Sequence, residues 1–526
     1  MVETNDRRLP VGIQSFQKIR KEGFLYVDKT DIIWNMVNKG DQFVYLSRPR
    51  RFGKSVLVDT LQMYLEGRKE LFEGLKIMNM EKNWLQRPVI RLDMSRGGAS
   101  ADEIKAYLDS SFASYEQLYG VEIKPTDTLA VRFDMIIKAA YKQTGLQVAI
   151  LIDEYDSPLQ HSWKTPEHEG CSSIYRSVFA ILKADDEFEK LVFITGITKF
   201  TQISLFSVLN NLTNISFFPE YAALCGITEQ EIVDNFQPEL ERMSSLNGWD
   251  TQETHNRLKD YYDGYHFCTR NMIDIYNPYS LINSLSTGEL RTFWASSGST
   301  SLLSKFVDNI EIELDRFEEC YIDRDTLEMS DVTGGGAALF LYQSGYLTIK
   351  GYDESLCVLG FPNEEVKKAL YKMVVPALTL KNNSQIITVQ ALLTKTMRDG
   401  NLLEAMNHLK ALIADVPYSN KKMASMDMEE RYRLIISTIF NAIGFRVEVE
   451  KMHATGRIDM VVRTPRIIYV IELKLSKNGG KKAGVKQILQ NQYLEPFKSD
   501  KCQVIGLSIE LDDLGKGLVD WENVKV

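Results

Sequence analysis

The sequence predicts an α/β protein divided into several domains, and three observations support this prediction. At 526 residues the chain exceeds the ~250–300 residues at which a single hydrophobic core stops growing. Its first 215 residues alternate short apolar runs with stretches of helical periodicity, the pattern of a parallel sheet covered by helices. From about residue 420 the charge balance reverses, with 18 Lys and Arg against 14 Asp and Glu in a chain whose net charge is −9.

The first 215 residues contain the elements of the predicted sheet in an informative order. Apolar runs indicate strands, and helical periodicity indicates the helices between them. The strands are expected at 41–47, 87–95, 146–154 and 190–198, and the helices at 53–67 and 101–119. The first strand leads through a Gly-Lys-Ser tripeptide into a helix, and the third strand ends in two acidic residues.

The remainder of the chain divides into three further predicted segments. Residues 216–330 are predicted to form a mostly helical, lid-like region. Residues 331–419 are predicted to hold a winged-helix-like module and a helical connector. There the linker DVTGG precedes a short helix, a hairpin that turns at 352–355 and a second helix. Residues 420–526 form the last predicted domain, which is again of the α/β class.

Composition narrows the classes of protein that this chain can belong to. Hydrophobic residues make up 44% and charged residues 25%, which is ordinary for a globular protein, and six cysteines are too few for a disulfide framework. A reducing, cytoplasmic setting is therefore expected. The chain shows neither the apolar segment of a signal peptide nor a run of ~18 apolar residues, so no membrane association is expected. The six histidines show no metal-ligand spacing with cysteines, so zinc is not expected.

The first functional candidate is the stretch SRPRRFGKSV at 47–56. In a phosphate-binding loop, Gly53 would let the backbone approach the phosphates, Lys54 would reach the β- and γ-phosphates, and the Ser55 hydroxyl would ligate Mg²⁺. Position 48 holds arginine where that motif usually has glycine. The tripeptide also arises by chance in long chains, but here it lies between a predicted strand and a predicted helix, which is the context that the motif requires.

The second candidate is the end of the apolar strand VAILIDEYD at 148–156. Asp153 could hold Mg²⁺, and Glu154 could activate the water that attacks the γ-phosphate. A buried strand that runs into an acidic turn is the structural alternative. A further strand ends in GITKF, where Thr198 could contact the γ-phosphate or simply cap the backbone.

The third candidate is the stretch RIDMVVRTPRIIYVIELKL at 457–475. It predicts two strands joined by a turn near Thr464, which would bring Asp459 and Glu472 face to face. Two carboxylates suit Mg²⁺, and Lys474, on the same strand face as Glu472, could stabilise the charge of the attacked phosphate. Carboxyl groups more than ~8 Å apart could not share one Mg²⁺ ion. A solvated strand face is the alternative, although the apolar run favours a central strand whose charges need partners.

With these motifs the chain resembles the bacterial AAA-ATPase-like P-loop proteins, in which a nuclease-like domain of the PD-(D/E)xK type commonly follows. The shared segments cover most of the chain. They are LPVGIQSFQKIRKEGFLYVDKT (9–30), RPRRFGKS (48–55), LIDEYDSPL (151–159), GITKFTQISLFSVLNNLTNIS (196–216), YYDGYHF (261–267), YNPYSL (276–281) and FPNEEV (361–366). Since the loop of that family is itself RPRRFGKS, the resemblance implies an ATP site and makes Arg48 the family form.

The motifs and the resemblance together predict two sites. The residues expected to bind ATP are Arg48, Arg50, Arg51, Phe52, Gly53, Lys54, Ser55, Val56 and Thr198. The residues expected to hold Mg²⁺ are Ser55 and Asp153 at the first site, and Glu429, Asp459 and Glu472 at the second. The residues expected to be catalytic are Glu154, Glu472 and Lys474. The resemblance also extends to Gln487 and Tyr493 and leaves Glu430 as a close alternative to Glu429, while RYR stands where the family often has a histidine after tyrosine.

These expectations lead to two hypotheses about function. The leading one is a P-loop ATPase fused to a Mg²⁺-dependent nuclease-like domain of restriction-endonuclease-like α/β fold. Its nucleotide state would govern access to nucleic acid, DNA more than RNA. The alternative is a nucleotide-switched regulatory or scaffold protein whose C-terminal domain binds nucleic acid or a partner without cleavage. An AAA-like fold permits rings, so a homo-oligomer stays open.

Overall fold

The computed structural model describes residues 8–199, 211–270, 272–294, 317–329, 336–353, 355–379, 383–414, 427–453 and 456–525. These residues belong to two compact units. The first lies within Met1–Ser296 and Glu319–Asn363, and the second within Ser297–Glu318 and Glu364–Val526. The predicted linker at 331–335 and the predicted domain boundary near residue 420 lie outside the described residues.

A five-stranded parallel sheet forms the base of the first unit, as the alternating pattern predicted. Its strands are β1 (Phe43–Ser47), β2 (Val89–Asp93), β3 (Val148–Asp153), β4 (Glu189–Gly196) and β5 (Thr213–Asn214). They are arranged in the order β2-β3-β4-β1-β5. The helices of this part are α1 (Phe16–Lys21), α2 (Thr30–Lys39), α3 (Lys54–Leu65), α4 (Ala101–Tyr119), α5 (Leu129–Thr144), α6 (Ser157–Ser162), α7 (His168–Phe179) and α8 (Ile181–Ala184).

Local sequence explains why these elements form where they do. Every residue of β3 is buried, as expected for a central strand of a parallel sheet with both faces covered. Helix α4 begins with a capping box between Ser100 and Glu103 and ends at Gly120 in the left-handed conformation, so both ends match the predicted 101–119. The four strands predicted from apolar runs are confirmed to within a few residues.

The middle of the chain is helical, as predicted, and up to Asn363 it belongs to the first unit except for Ser297–Glu318. Its elements are β6 (Ile227–Thr228), α9 (Glu229–Asn235), α10 (Gln237–Asn247), α11 (Thr251–Tyr262), β7 (Ile275–Tyr276), α12 (Pro278–Thr287), β8 (Cys320–Asp323), α13 (Arg324–Met329), α14 (Gly336–Gln343), β9 (Thr348–Asp353) and β10 (Leu356–Gly360). The predicted helix and hairpin of the winged-helix-like segment correspond to α14, β9 and β10. Strand β8 joins the hairpin to make an antiparallel sheet in the order β8-β10-β9.

A mixed five-stranded sheet organises the second unit. Its elements are α15 (Glu364–Thr379), α16 (Asn383–Asp399), α17 (Leu402–Ile413), α18 (Met428–Ala442), β11 (Arg446–His453), β12 (Gly456–Arg463), β13 (Ile467–Leu475), α19 (Gly480–Gln490), β14 (Gln503–Leu511) and β15 (Leu518–Lys525). The strands follow one another in chain order, and only the β13–β14 pair is parallel. The sequence prediction contained the hairpin β12–β13 but not β14 and β15.

The sequence pattern of VKQILQNQYLEPF predicts a helix over 485–497, and the observed helix α19 differs from that span. It begins earlier, at Gly480, and ends at Gln490, because Gln492 adopts a left-handed φ of 54° that no helix continues through. Gly484 lets this helix approach the sheet closely, since a Cβ atom there would lie 2.1 Å from Ser508 Oγ and 3.4 Å from Glu472 Cβ. Among the described residues, none of the helices is both long and apolar enough to cross a membrane.

Candidate functional site

The predicted phosphate-binding loop lies between the end of β1 and the start of α3. Gly53 precedes the helix with a left-handed φ of 89°, a conformation that glycine adopts without a steric penalty. Arg51 is also left-handed, with a φ of 67°, and its side chain is exposed. Ser55 and Val56 occupy the first turn of α3, where helix N–H groups have no partner within the helix. The loop therefore presents a helix N-terminus, which favours anions.

Lys54 is buried and holds the curved shape of the loop. Its Nζ donates to Arg48 O at 2.9 Å and to Pro49 O at 3.0 Å. Burial lowers the pKa of Lys54, and the nearby charges of Glu154, Asp153 and Asp156 oppose that shift. The loop and the acidic end of β3 therefore share one neighbourhood, as the order of motifs predicted.

Asp153 is the last residue of β3, and Glu154 follows it at the carboxyl edge of the sheet. Asp153 Oδ1 accepts hydrogen bonds from Thr195 Oγ1 at 2.6 Å and from Glu154 N at 3.0 Å. Glu154 adopts a left-handed φ of 48°. Burial raises the pKa of Glu154, Lys54 partly offsets this, and Asp153 adds to it. A carboxylate with a raised pKa is a stronger base, which suits the activation of water.

The end of β4 lies between the phosphate loop and the acidic residues, because β4 separates β1 from β3. Thr198, the predicted phosphate contact, is tied to a carboxylate there: its Oγ1 and its N donate to Asp156 Oδ2 at 2.7 Å and 2.6 Å. Asp156 is buried and also accepts from Gln160 Nε2 at 2.5 Å. The sequence prediction did not include Asp156, although it stands in the same DEYD motif.

Arg48 takes a position that the sequence did not reveal. It is 1% exposed, and its guanidinium group donates to three backbone carbonyls: Ser47 O at 2.8 Å, Ser216 O at 3.0 Å and Tyr221 O at 3.0 Å. It also lies 4.0 Å from the ring centre of Phe267. The guanidinium group is thus bonded to the protein itself and fixes the start of the loop to the segment 216–221.

The other loop residues differ in exposure. Arg50 Nη2 donates to Gln160 Oε1 at 3.3 Å, whereas the Arg51 guanidinium lies 4.6 Å from the ring centre of Tyr279. Phe52 is buried and packs edge-on against two aromatic rings. Those rings belong to Tyr265 and Phe267, at centroid distances of 4.8 Å and 5.4 Å. Phe52 therefore anchors the loop in the protein, and Arg51 is the predicted arginine that faces solvent.

The predicted carboxylates of the C-terminal hairpin meet. In the β12–β13 pairing Met460 faces Ile471, which places Asp459 opposite Glu472. Asp459 Oδ2 accepts from Leu473 N at 2.9 Å, and Glu472 Oε1 accepts from Asp459 N at 3.3 Å. The hairpin backbone therefore orients both carboxylates.

Lys474 joins three carboxylates around one ammonium group. Its Nζ lies 3.4 Å from Glu472 Oε2, 3.8 Å from Asp459 Oδ2 and 3.6 Å from Glu429 Oε1. The Asp459 and Glu472 oxygens cannot be farther apart than the sum of 3.4 Å and 3.8 Å, which is below the ~8 Å limit for sharing a metal ion. Burial disfavours the charge of Lys474, but Asp459, Glu472 and Glu429 raise its pKa above the ordinary value. Glu430 is exposed, so Glu429 is the helical acid at this site.

Glu472 has the most unfavourable surroundings of the group. Its side chain is 0% exposed, and within the described part of the chain Oε2 accepts no hydrogen bond of normal geometry. Burial, followed by repulsion from Asp459, raises the pKa of Glu472 to about 8. A buried oxygen without a donor, beside a second carboxylate, fits a divalent cation as its missing partner.

The carboxylates are not arranged as a ready-made metal centre. Throughout the described ranges, no three His, Cys, Asp or Glu side chains form a group that could hold a metal ion as they stand. At the C-terminal hairpin the ammonium of Lys474 lies among the carboxylates instead. The oxygen donors of Glu429, Asp459 and Glu472 are nevertheless of the type that Mg²⁺ prefers.

Gln487 and Tyr493 lie near the hairpin but serve its packing. Tyr493 is buried in the core under β12, and its Oη donates to Arg457 O at 3.0 Å. Gln487 Nε2 donates to Tyr493 Oη at 3.4 Å. The two residues therefore hold the strand that carries Asp459.

Two charged residues near Asp459 were absent from the sequence prediction. Arg433 lies on α18 with its Nη1 3.9 Å from Asp459 Oδ1 and its Nη2 2.8 Å from Glu450 Oε1. Glu450 lies on the neighbouring strand β11. The one available signal was the spacing of Glu429 and Arg433, four residues apart on one helix face.

Two stretches of the chain match known protein families. Residues 10–206 match the AAA-ATPase-like family, which is described as a predicted AAA-ATPase. Residues 427–520 match the PD-(D/E)XK nuclease superfamily. A relative along nearly the whole chain is an "Uncharacterized protein in vnfD 5'region" of Azotobacter chroococcum mcd 1. It is 28% identical over 526 residues, which cover 96% of this chain and 97% of that protein.

Proposed function

We propose that this chain, whose N-terminal domain belongs to the AAA-ATPase-like family and whose C-terminal domain belongs to the PD-(D/E)XK nuclease superfamily, hydrolyses ATP and cleaves the backbone of nucleic acid. The observation that carries the nuclease half is the buried Glu472 Oε2, which accepts no hydrogen bond of normal geometry from the described residues, with Asp459 opposite and Lys474 Nζ 3.4 Å away. Among nucleic acids, DNA is the proposed substrate.

ATP binding would use the backbone and the cations of the phosphate loop. The N-terminus of α3 would receive the β- and γ-phosphates, and Lys54 would exchange its two carbonyl acceptors for phosphate oxygens. Arg51, which is exposed, is the proposed additional phosphate contact. Arg48 has a structural role in this proposal, since its donors are bonded to Ser47, Ser216 and Tyr221.

ATP hydrolysis would depend on the acidic end of β3. Glu154 would accept the proton of the attacking water, and the raised pKa of its buried carboxyl supports that role. Ser55 and Asp153 would hold the Mg²⁺ that accompanies ATP, and the hydrogen bond from Thr195 orients Asp153. Asp156 would position the end of β4, including Thr198, in the site.

Nucleic-acid cleavage would use the C-terminal hairpin and α18. Asp459, Glu472 and Glu429 would hold a divalent cation. When bound, Mg²⁺ would offset the charge of the scissile phosphate and lower the pKa of a water molecule. Lys474 would move from the carboxylates towards the phosphate and stabilise the negative charge that develops as water adds to phosphorus and the P–O bond to the leaving oxygen breaks.

Paired substitutions test the two activities separately. We expect Lys54→Ala and Glu154→Gln to abolish ATP hydrolysis while leaving Mg²⁺- or Mn²⁺-dependent cleavage detectable. Glu472→Gln and Lys474→Ala should abolish cleavage and leave ATP turnover intact. Phosphate release and the cutting of labelled DNA and RNA measure the two. ATP turnover at the wild-type rate in both Lys54→Ala and Glu154→Gln would refute the ATPase assignment. If the purified wild-type protein cuts no nucleic acid with either metal, the nuclease assignment is wrong and a non-cleaving binding domain takes its place.

A further inference from the structure

Helix α18 brings a second charged side chain to the C-terminal site besides Glu429. Arg433 Nη2 is 2.8 Å from Glu450 Oε1, and its Nη1 is 3.9 Å from Asp459 Oδ1. Arg457 Nη1 is 3.1 Å from the same oxygen of Glu450. Two guanidinium groups therefore share one carboxylate beside Asp459. We call Arg433, Glu450 and Arg457 the arginine pair with its bridging glutamate.

The charges of this group do not balance. Glu450 supplies one negative charge to two arginines, and Asp459 directs its other oxygen, Oδ2, to Leu473 N and towards Lys474. The Arg433 side chain is 13% exposed and the Arg457 side chain 54% exposed. Arg433 thus lies near Oδ1 of Asp459, whereas Lys474 lies near its Oδ2.

The bridging glutamate is held in a strained backbone conformation. Glu450 has a left-handed φ of 51° within β11, although its neighbours pair regularly with β12: Val449 with Met460 and Lys451 with Ile458. For a residue other than glycine this conformation is strained, and it persists where the surroundings enforce it, often at functional sites. By register, Glu450 is opposite Asp459, so the strained residue and the predicted metal ligand are neighbours.

We propose that Arg433 and Arg457 bind a backbone phosphate of the nucleic acid next to the scissile phosphate, and that Glu450 keeps the two guanidinium groups in place until nucleic acid arrives. This inference rests on the proposed nuclease function. Guanidinium groups match phosphate oxygens through paired N–H donors. A phosphate would replace Glu450 as their common acceptor. Because backbone contacts carry no base information, the pair acts on DNA and RNA alike.

A purely structural role of Arg433 has different consequences. If Arg433 only orients Asp459, its loss would weaken metal binding and would leave the salt dependence of nucleic-acid binding unchanged. If it binds phosphate, its loss would remove a cation from beside a metal ligand. Metal affinity would then stay the same or rise, while nucleic-acid affinity falls.

The test measures binding without cleavage in the full chain that carries Glu472→Gln. Short fluorescein-labelled single-stranded DNA, duplex DNA and RNA are titrated by fluorescence anisotropy over a range of salt concentrations. We expect Arg433→Met and Arg457→Met each to weaken binding roughly tenfold, the effect of losing one charge-assisted contact. Each should also lower the slope of log K against log salt by about 1. Glu450→Gln should tighten binding, because it removes the competing carboxylate.

Arg466→Met is the matched control. Arg466 is an exposed arginine in the turn that joins β12 to β13, at the end of the hairpin away from Asp459. The Arg466→Met substitution should leave the slope of log K against log salt unchanged. Mn²⁺ binding, followed by electron paramagnetic resonance in the background with Glu472 intact, should be undiminished in Arg433→Met.

Each outcome decides the proposal. If the Glu472→Gln protein binds none of the three nucleic acids, the proposed nuclease function fails and the arginine proposal fails with it. If it binds them, but Arg433→Met and Arg457→Met have the same affinity and salt slope as Arg466→Met, the arginine proposal alone is wrong. Weaker Mn²⁺ binding with an unchanged salt slope in Arg433→Met assigns that residue to positioning Asp459 and overturns its phosphate role.

Discussion

Glu472 shows how one residue can reveal the chemistry of a site. Its carboxylate is enclosed by protein, its Oε2 lacks a hydrogen-bond donor among the described residues, and Asp459 lies opposite. Lys474 Nζ, at 3.4 Å, is the nearest charge of opposite sign that contacts it. A buried carboxylate so poorly compensated is costly unless it takes up a proton or a cation.

This arrangement makes metal binding dependent on pH. The pKa of Glu472 is raised to about 8, so below that pH the metal-free carboxyl keeps its proton and a cation must displace it. We therefore expect Mn²⁺ affinity to rise with pH, by up to about tenfold per unit, and to level off above pH ~8. Calorimetric titration in buffers of different ionisation enthalpy should detect about one released proton below that pH. The Glu472→Gln protein is the control. If Mn²⁺ affinity rises equally with pH in both proteins, Glu472 is not the group whose proton the metal displaces.

At the scale of elements, the position of β4 between β1 and β3 brings together the parts of the proposed nucleotide site. The carboxyl ends of these three parallel strands carry the phosphate loop, the Thr195 and Thr198 hydroxyl groups, and the acidic residues. The loop itself is anchored by Arg48 and Phe52, whose side chains are buried. The loop is therefore anchored in the fold through these two side chains.

Two arginines of the loop should respond oppositely to substitution. Arg48→Met would leave three backbone carbonyls without their donor, and we expect it to lower the free energy of unfolding of the first unit by about 2–4 kcal/mol. Arg51→Met should change that free energy of unfolding by no more than about 0.5 kcal/mol, because the side chain is exposed. It should nevertheless weaken ATP binding. Thermal unfolding with and without ATP measures both effects. Equal stability of the two variants would argue against a structural role for Arg48.

At the scale of the whole molecule, the two proposed phosphate-binding sites lie in two compact units of one chain. The first site pairs a buried lysine with a helix N-terminus, which suits a nucleoside triphosphate. The second groups carboxylates around Lys474, which suits a cation and a phosphodiester. Their presence in one chain motivates the expectation that nucleotide state governs cleavage.

We expect ATP to change the cleavage rate of the wild-type protein by at least about fivefold and to leave that of Lys54→Ala unchanged. A change of this size corresponds to a coupling free energy of about 1 kcal/mol, at the lower end for allosteric proteins. Initial rates of DNA cutting with ATP, ADP and no nucleotide provide the measurement. Glu154→Gln, which should bind ATP without hydrolysing it, separates the effect of binding from that of turnover. If the three nucleotide conditions give one rate in the wild type, the two units act independently.

Much of the fold and the core of both sites could be predicted from local sequence. The strands that lead to Gly53 and end at Asp153 are short apolar runs that can be recognised locally, and α4 carries its own capping signals. The opposition of Asp459 and Glu472 followed from the alternation of side chains across a short hairpin. Strands β14 and β15 and the early start of α19 were not predicted, although the apolar run VIGLSIEL of β14 offered a signal.

By itself, the sequence determined which chemical groups this protein has and the order in which they lie on strands and helices, since both are encoded within a few residues. Only the tertiary structure decided what each group contacts. It buried Arg48 against carbonyls from residues 216 and 221 and left Arg51 exposed. It selected Glu429 over Glu430 and brought Arg433 and Glu450 to Asp459. These partners are distant in the chain, so the packing of whole elements, rather than any local pattern, brings them together.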